Sequence, residues 1–143
     1  MSTTNYPFEI EIEVVFRDLD ILNHTNNAVY FTYMETARTR FLIKILELDS
    51  PMDLPVILAE ATCTYHAPTF FGDRLRVGVG VSRFGAKSFD LVYRIATEDG
   101  RLVAKGKTLM VMYDYQTKKT CLVTDDFKQR VHNFQGDWQV PNE

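Results

Sequence analysis

The residues best suited to carry chemistry lie in one short stretch, from Phe16 to Tyr30. It contains Asp18, Asp20, His24 and three asparagines, and a run with helical periodicity follows it directly. Asp and Asn side chains favour turns and helix caps because they hydrogen-bond the nearby backbone. Turn formation alone could therefore explain the cluster, and it is the alternative to a catalytic role for these residues.

The chemical interpretation of this stretch is a site for acyl transfer. The first N–H groups of a helix have no partner within the helix and lie at the positive end of its dipole. Such groups can stabilise the oxyanion that develops on an attacked carbonyl, by about 3–4 kcal/mol per donor. A carboxylate just ahead of the helix can attack the carbonyl or deprotonate a water molecule. Asp20 has that place in the sequence.

Composition and charge argue against several other classes of protein. The chain has 143 residues, a net charge of -3 and no block of Lys or Arg, which argues against nucleic-acid binding. No apolar run approaches the roughly 20 residues that cross a bilayer, and the acidic start does not resemble a signal peptide. Cys63 and Cys121 lack metal or redox spacing, so we expect a reduced, cytoplasmic protein. His66 and His132 lie far from His24 and lack ligand spacing, so we expect no metal site.

Hydrophobic periodicity predicts one strand, one long helix and then four more strands. The residues from Phe8 to Phe16 alternate as in a half-buried strand, with three glutamates on the wet face. From about Asn26 to Leu48, apolar residues recur at the spacing of one helix face, and Thr25 or Asn26 is a suitable N-cap. Further strands are predicted in segments 56–65, 75–82, 89–95 and 102–115, and a short helix in 124–134.

The order of these elements predicts an α+β fold in a single domain that spans residues 1–143. Consecutive strands joined by tight turns pair antiparallel, and a single apolar helix must cover one face of their sheet. We therefore expect a curved antiparallel five-stranded sheet wrapped around one long central helix. Open sheet edges are templates for pairing, so we also expect a dimer. Whether the assembly is a homodimer or a homotetramer stays open.

Beyond the cluster itself, the chain carries a set of spaced motifs. The first block holds Asp18-x-Asp20, His24-x-Asn26-Asn27-x-x-Tyr30 and Tyr33-x-Glu35-x-Ala37-Arg38. The second block holds Tyr65-x-x-Pro68, Gly72-Asp73 and Ser82-Arg83-x-Gly85-x-x-Ser88-Phe89. Together they closely resemble the 4-hydroxybenzoyl-CoA thioesterase family of hot-dog proteins, most of all its bacterial acyl-CoA thioesterases. The similarity extends from about Phe8 to Val123.

The resemblance implies a role for each matching residue. The second Asp of the Asp-x-Asp pair is the family's catalytic carboxylate and corresponds to Asp20. The backbone N–H seven residues later is the oxyanion donor and corresponds to Asn27, while His24 would orient the nucleophile or a water molecule. The implied reaction is hydrolysis of an acyl-CoA to free acid and CoA, with no cofactor besides the substrate. Whether Asp20 acts as nucleophile or as general base stays open.

Recognition of CoA is predicted at a turn further along the chain. The phosphates of CoA need local cations on a net-acidic protein. Arg83, Lys87 and Ser88 flank a turn where the family commonly holds the nucleotide end. The alternative is a solvated turn, since Lys and Arg are exposed by default.

Two further carboxylates are weighed as lesser candidates. Glu35 precedes Arg38 by three residues on the predicted helix, which favours a structural ion pair. Glu60 interrupts an apolar strand and either points to solvent or lines the site across a dimer.

Three other functional arrangements are compared with this one. The Asp-Asn-His mechanism of plant acyl-carrier-protein thioesterases is disfavoured, because Leu22 stands where its Asn is needed. A hot-dog acyl-CoA hydratase or dehydratase typically has Asp and His five residues apart beside an Asn-Pro pair, whereas here the spacing is four and no such pair is present. A non-catalytic acyl-CoA binding module is the remaining alternative, and it would bind acyl-CoA without releasing thiol.

Overall fold

A computed structural model of the protein, which describes residues 4–143, shows a curved antiparallel sheet against one long helix. The chain order is β1 (Phe8–Glu13), α1 (Val29–Leu46), β2 (Val56–Tyr65), β3 (Arg74–Phe84), β4 (Ser88–Thr97), β5 (Leu102–Asp114), β6 (Lys119–Thr120) and α2 (Asp125–Gln135). The strands are arranged in the order β1-β3-β4-β5-β2, and the two-residue β6 pairs with β5. The predicted architecture of five long antiparallel strands around a central helix is confirmed.

The core lies between helix α1 and the concave face of the sheet. Apolar residues recur every three or four positions along α1 and form one buried side, with Met34, Ala37, Phe41 and Leu42 fully buried. The strands contribute every second residue, as their two-residue period requires. Those of β3 and β4 that are fully buried include Leu75, Val77, Val79, Leu91, Tyr93 and Ile95. This packing fixes the axis of α1 and so the position of its N-terminus.

Helix α1 is shorter than the sequence predicts at both ends. It has 18 residues and is about 27 Å long. The N-cap is Ala28 rather than Thr25 or Asn26. Asn26 instead forms a turn ahead of the helix, in which its Oδ1 accepts from the Ala28 N–H (2.9 Å). The helix ends at Leu46, and its C-cap Glu47 has a left-handed backbone (φ 54).

Strand β1 ends earlier than its alternating pattern predicts. Val14 remains fully buried, but Phe16 lies in a short 3₁₀ turn with its side chain 79% exposed. The Asp18 carboxylate accepts from the Val15 N–H (3.0 Å) and turns the chain away from the sheet. A local side-chain bond thus overrides the hydrophobic alternation at this point.

The two edge strands of the sheet differ in length and in charge. Strand β1 has six residues and three of them are glutamates, while β2 has ten residues. Ile57 and Leu58 of β2 are 42% and 44% exposed, at an irregularity in the pairing of β2 with β5. The only long apolar edge in the described part of the chain is therefore that of β2. Within residues 4–143, neither helix is both long and apolar enough to cross a membrane.

Candidate active site

The connection between β1 and α1 folds into a tight hairpin that carries Asp20 and His24. Leu19 pairs with Thr25 in an antiparallel bridge, and the Asp20 N–H donates to the His24 carbonyl (3.0 Å). Asn23 closes the hairpin with a left-handed backbone (φ 64), which Asn adopts more readily than most residues. The side chains of Asp20 and His24 consequently line one cavity.

A buried hydroxyl network, formed by Thr25, Tyr30 and Thr69, anchors this hairpin. The Thr69 Oγ1 lies 2.6 Å from Thr25 Oγ1 and 2.9 Å from the Tyr30 hydroxyl, and the Thr25 N–H donates to the Thr69 carbonyl (2.8 Å). All three side chains are buried, and burial raises the pKa of Tyr30. The network ties the hairpin to helix α1 and to the β2–β3 connection.

A second contact, which is partly buried, holds the start of the hairpin. The Tyr33 hydroxyl of α1 donates to Asp18 Oδ2 (2.9 Å). Burial, followed by this hydrogen bond to Asp18, raises the pKa of Tyr33, so the hydroxyl stays protonated as a donor. The Asp18 backbone carbonyl in turn accepts from the Asn26 N–H (2.9 Å). Asp18 is therefore a structural carboxylate that joins the hairpin to α1.

The cavity has a volume of about 470 Å³ and opens beside the N-terminus of α1. It combines residues of the hairpin, of the first turn of α1 and of the end of β2 with the segment that follows it. Its lining consists of Asp20, Leu22, His24, Thr25, Asn27, Tyr30, Tyr65, His66, Ala67 and Pro68. A carboxylate, two imidazoles and two phenols thus surround a space large enough for part of a small-molecule substrate.

One oxygen of the Asp20 carboxylate is held and the other is available. Oδ1 accepts from the Leu22 N–H (2.9 Å), whereas Oδ2 has no hydrogen-bond partner within residues 4–143. The side chain is 25% exposed. His24 Nδ1 lies 3.8 Å from Asp20 Oδ1, too far for a direct hydrogen bond and close enough for electrostatic attraction when the imidazole is protonated.

The backbone N–H of Asn27 has no acceptor in the described part of the chain. It precedes helix α1, where backbone donors point out of the helix and the dipole is positive. The peptide to which it belongs is fixed at its other end, because the Asn26 carbonyl accepts from the Val29 N–H (2.9 Å). A free donor with a fixed direction is what the stabilisation of an oxyanion requires.

The structure brings Asp20, His24 and Asn27 together at this cavity, while Arg83, Lys87 and Ser88 lie elsewhere. Along β5, Tyr65 at the cavity pairs with Ala104 and Ser88 pairs with Val111. Seven residues of strand separate these two positions, which is about 23 Å.

The side chains of the distant turn have partners of their own. Arg83 donates to Asp90 (3.1 Å), and Lys87 lies 3.5 Å from the Thr120 hydroxyl. Within one protomer this turn does not reach the cavity. Binding of CoA by Arg83, Lys87 and Ser88 stays a prediction that requires a second protomer.

The cavity also contains residues to which the sequence assigned no role in the site. Tyr65 and His66 line it, and Thr69 supports it. His66 lies far from His24 in sequence, yet both residues line the same cavity because the end of β2 lies beside the hairpin. In the sequence, only the Tyr65-x-x-Pro68 motif pointed to this segment, and nothing singled out Thr69.

Glu35 and Glu60, the two lesser carboxylate candidates, are not part of the cavity lining. Arg38 lies 3.5 Å from Glu35, which confirms the predicted helical ion pair. Glu60 is exposed on β2 and is not part of the cavity lining. Residues 4–143 contain no group of three or more His, Cys, Asp or Glu side chains suited to hold a metal ion. The absence of a metal requirement stays a prediction from the sequence.

Comparison with known proteins assigns the family. The sequence profile of the thioesterase-like superfamily matches residues 14–131, which includes the hairpin, the cavity and both helices up to Val131. This chain belongs to the thioesterase-like superfamily. The predicted family resemblance and the predicted class of enzyme, a thioester hydrolase, are thereby confirmed.

Individual relatives of this thioesterase-like protein agree in length and fold. The uncharacterized protein YsmA of Bacillus subtilis (strain 168) is 25% identical over 126 residues, which cover 88% of this chain and 86% of YsmA. A protein of Aquifex aeolicus (strain VF5), named provisionally as an esterase, is 30% identical over 105 residues, covering 71% and 81%. Among solved structures, a thioesterase of Thermus thermophilus complexed with coenzyme A and Zn has a TM-score of 0.84 at 28% identity, covering 92% of this chain and 96% of that one.

Proposed function

We propose that this protein hydrolyses acyl-CoA thioesters, with Asp20 as the catalytic carboxylate and the Asn27 N–H as the oxyanion donor. The observation that carries the proposal is the shared cavity, which is lined both by Asp20, whose carboxylate has one unpaired oxygen, and by Asn27, whose backbone donor is unpaired within residues 4–143. A thioester carbonyl placed between them would have its carbon near Asp20 and its oxygen near Asn27. The coenzyme A in the Thermus thermophilus thioesterase supports CoA as the thiol part of the substrate.

Asp20 can act by either of two routes. As a nucleophile, its carboxylate attacks the carbonyl carbon, the C–S bond breaks, and water then hydrolyses the resulting anhydride to free acid and Asp20. As a general base, it removes a proton from water while the oxygen of that water attacks the carbon and CoA leaves as thiolate. In both routes the Asn27 N–H stabilises the negative charge on the carbonyl oxygen, and the thiolate finally takes up a proton. His24 lies beside Asp20 and would orient the carboxylate or the water.

The nucleophilic route is tested by one turnover in water labelled with ¹⁸O. With enzyme in excess over acyl-CoA, a general base places one labelled oxygen in every molecule of acid. Acid without label would have taken its oxygen from Asp20, and would identify the carboxylate as nucleophile.

A homodimer formed through β2 is part of the proposal. The exposed edge of β2 carries Ile57 and Leu58, and an unpaired apolar edge favours pairing with a second strand. Antiparallel pairing of two β2 edges would bring the Arg83 turn of a second copy to the end of the sheet where the cavity opens. That arrangement supports Arg83, Lys87 and Ser88 as a binding site for the nucleotide end of CoA.

The proposal is tested by following thiol release from short, medium, long and aromatic acyl-CoAs. We expect hydrolysis of at least one class, and a loss of kcat by a factor of about 10² or more in both Asp20→Asn and Asp20→Ala. Asp53→Asn is the matched control, since Asp53 is an exposed carboxylate outside the cavity. Near-normal turnover in both Asp20 variants would refute the assignment. Saturable binding without thiol release would indicate the non-catalytic module, and loss of conjugation in an enoyl-CoA would indicate a hydratase.

A further inference from the structure

The two peptide groups around Asn27 are held by three hydrogen bonds that leave only one donor free. In the Asn26–Asn27 peptide, the carbonyl accepts from the Val29 N–H (2.9 Å) and the Asn27 N–H is unpaired within residues 4–143. In the Asn27–Ala28 peptide, the carbonyl accepts from the Tyr65 hydroxyl (2.8 Å) and the N–H donates to the Asn26 side chain (2.9 Å). The second peptide is thus held at both ends by side chains.

Tyr65 reaches this peptide from a different part of the fold. It is the last residue of β2, and its ring packs against that of Tyr30, with ring centroids 5.3 Å apart and an interplanar angle of 69°. The packing against Tyr30 orients the phenol so that its hydroxyl points at the Asn27 carbonyl. Burial raises the pKa of Tyr65, which keeps the hydroxyl protonated as a donor.

The Asn27 carbonyl would have another partner if Tyr65 were absent. In a regular α-helix it would accept from the N–H four residues later, that of Phe31. Here the Phe31 N–H bonds instead to Ala28 (3.2 Å), and Asn27 stays outside the helix. Loss of the Tyr65 hydroxyl would let this peptide rotate toward Phe31. This peptide and the one that carries the free N–H share the Cα atom of Asn27, so a displacement of that atom would move the Asn27 N–H as well.

We propose that Tyr65 and Asn26 are positioning residues that lock the Asn27–Ala28 peptide and thereby aim the Asn27 N–H at the substrate oxygen. The proposal rests on the function proposed above. The oxyanion is fully developed only in the transition state, so a misdirected donor lowers kcat and leaves KM nearly unchanged. Misplacement of a catalytic group by about 1 Å can cost two orders of magnitude, and we expect a loss of about tenfold to a hundredfold.

The test compares variants that remove one hydrogen bond each. Tyr65→Phe removes the phenol hydroxyl and keeps the ring, while Tyr115→Phe is the matched control, because the Tyr115 hydroxyl donates to the carbonyl of Val56 (2.7 Å), away from the cavity. We expect kcat of Tyr65→Phe to fall at least tenfold with KM within about twofold, and both constants of Tyr115→Phe to stay at the wild-type values.

The hydrogen bond from the Ala28 N–H to the Asn26 side chain can be tested with a substitution that removes it and a conservative one that restores it. Asn26→Ala removes the acceptor for the Ala28 N–H, whereas the hydroxyl of Asn26→Ser can still accept it. We expect Asn26→Ala to lose kcat as Tyr65→Phe does and Asn26→Ser to recover most of it. If Tyr65→Phe failed to fold, this pair alone would decide.

Three results would overturn the proposal that Tyr65 and Asn26 position the Asn27–Ala28 peptide. One is a wild-type kcat in both Tyr65→Phe and Asn26→Ala, and another is a rise in KM at constant kcat, which would make Tyr65 a substrate contact. The third is equal activity of Asn26→Ala and Asn26→Ser. In each case, a wild-type enzyme that releases thiol and an Asp20→Ala variant that does not would leave the proposed function intact. A wild-type protein that hydrolyses no acyl-CoA would overturn both.

Discussion

Replacing Thr69 by Val removes the hydroxyl that joins the three members of the buried hydroxyl network while keeping the shape of the side chain. In the wild type, Thr69 Oγ1 is the hydrogen-bond partner of the Tyr30 hydroxyl and also contacts the Thr25 hydroxyl. Thr25 keeps one longer contact, 3.4 Å from its Oγ1 to the Thr69 carbonyl. The Tyr30 hydroxyl, however, is left without a partner in a buried position.

The expected loss of stability depends on whether a substitution only removes a hydrogen bond or also leaves a buried hydroxyl without a partner. A buried polar group left unpaired costs about 1–3 kcal/mol, and a typical hydrogen bond contributes about 1 kcal/mol. We expect Thr69→Val to lower the free energy of unfolding by about 2–4 kcal/mol, and Tyr30→Phe, which leaves the Thr69–Thr25 bond intact, by about 1 kcal/mol. In the double variant the stranded hydroxyl is gone, so the loss should be smaller than the sum of the single losses by about 1 kcal/mol.

The assay is a double-mutant cycle by urea denaturation at one fixed protein concentration, since an oligomer makes stability depend on concentration. Thr32→Val serves as control, because Thr32 is exposed on α1, and its free energy of unfolding should stay within about 0.5 kcal/mol of the wild type. Additive effects of the Thr69 and Tyr30 substitutions would show that these hydroxyls are not coupled and would refute the network.

Two further predictions concern the core of the sheet and the C-terminal residue. Gly106→Ala would place its methyl carbon in steric overlap with the sulfur of the buried Met34, so we expect a loss of about 1–3 kcal/mol in unfolding free energy by urea denaturation. The hydrogen bond from Arg94 holds the pKa of the Glu143 carboxyl below its usual range. The pair therefore stabilises the fold above the unfolded-state pKa, and this contribution is lost as pH falls through the lowered folded-state pKa. Between about pH 5 and 3, the Tm of the wild type should fall more steeply than that of Glu143→Gln. Equal slopes, or an unchanged stability of Gly106→Ala, would contradict these two expectations.

Most of the fold could be predicted because the strands and the helix follow their hydrophobic periods. Strand β2 has the predicted bounds Val56–Tyr65, and α2 lies in the predicted segment, with the Thr124 side chain accepting from the Phe127 N–H at its start. The boundaries failed where a side chain bonds locally to the backbone. Asp18 ends β1 before Phe16, and Asn26 forms a turn that delays the start of α1. Hydrophobic alternation contains no information on such bonds.

The candidate site could be predicted only where its residues are neighbours in sequence. Asp20, His24 and Asn27 fall within one motif and line one cavity, and their catalytic roles stay predictions. Tyr65 and Thr69 come from a segment about 40 residues away that only the tertiary fold brings near. The turn at Arg83 is the opposite case. A motif suggested that it belongs to the site, but within one protomer it lies at the other end of the sheet, and a motif does not specify the end at which its residues lie.

The unequal edges of the sheet also bear on how far the sheet itself could extend from one chain to the next. At the β1 edge, Glu11 and Glu13 face Arg74 of the same chain, and two such edges would bring like charges into register. Among residues 4–143, only β2 offers a long apolar edge, so edge-to-edge pairing through β2 would occupy this edge in both copies. If two chains pair through β2 as proposed, growth of the sheet would stop after that single addition, which would protect the protein from the open-ended head-to-tail stacking that produces fibres.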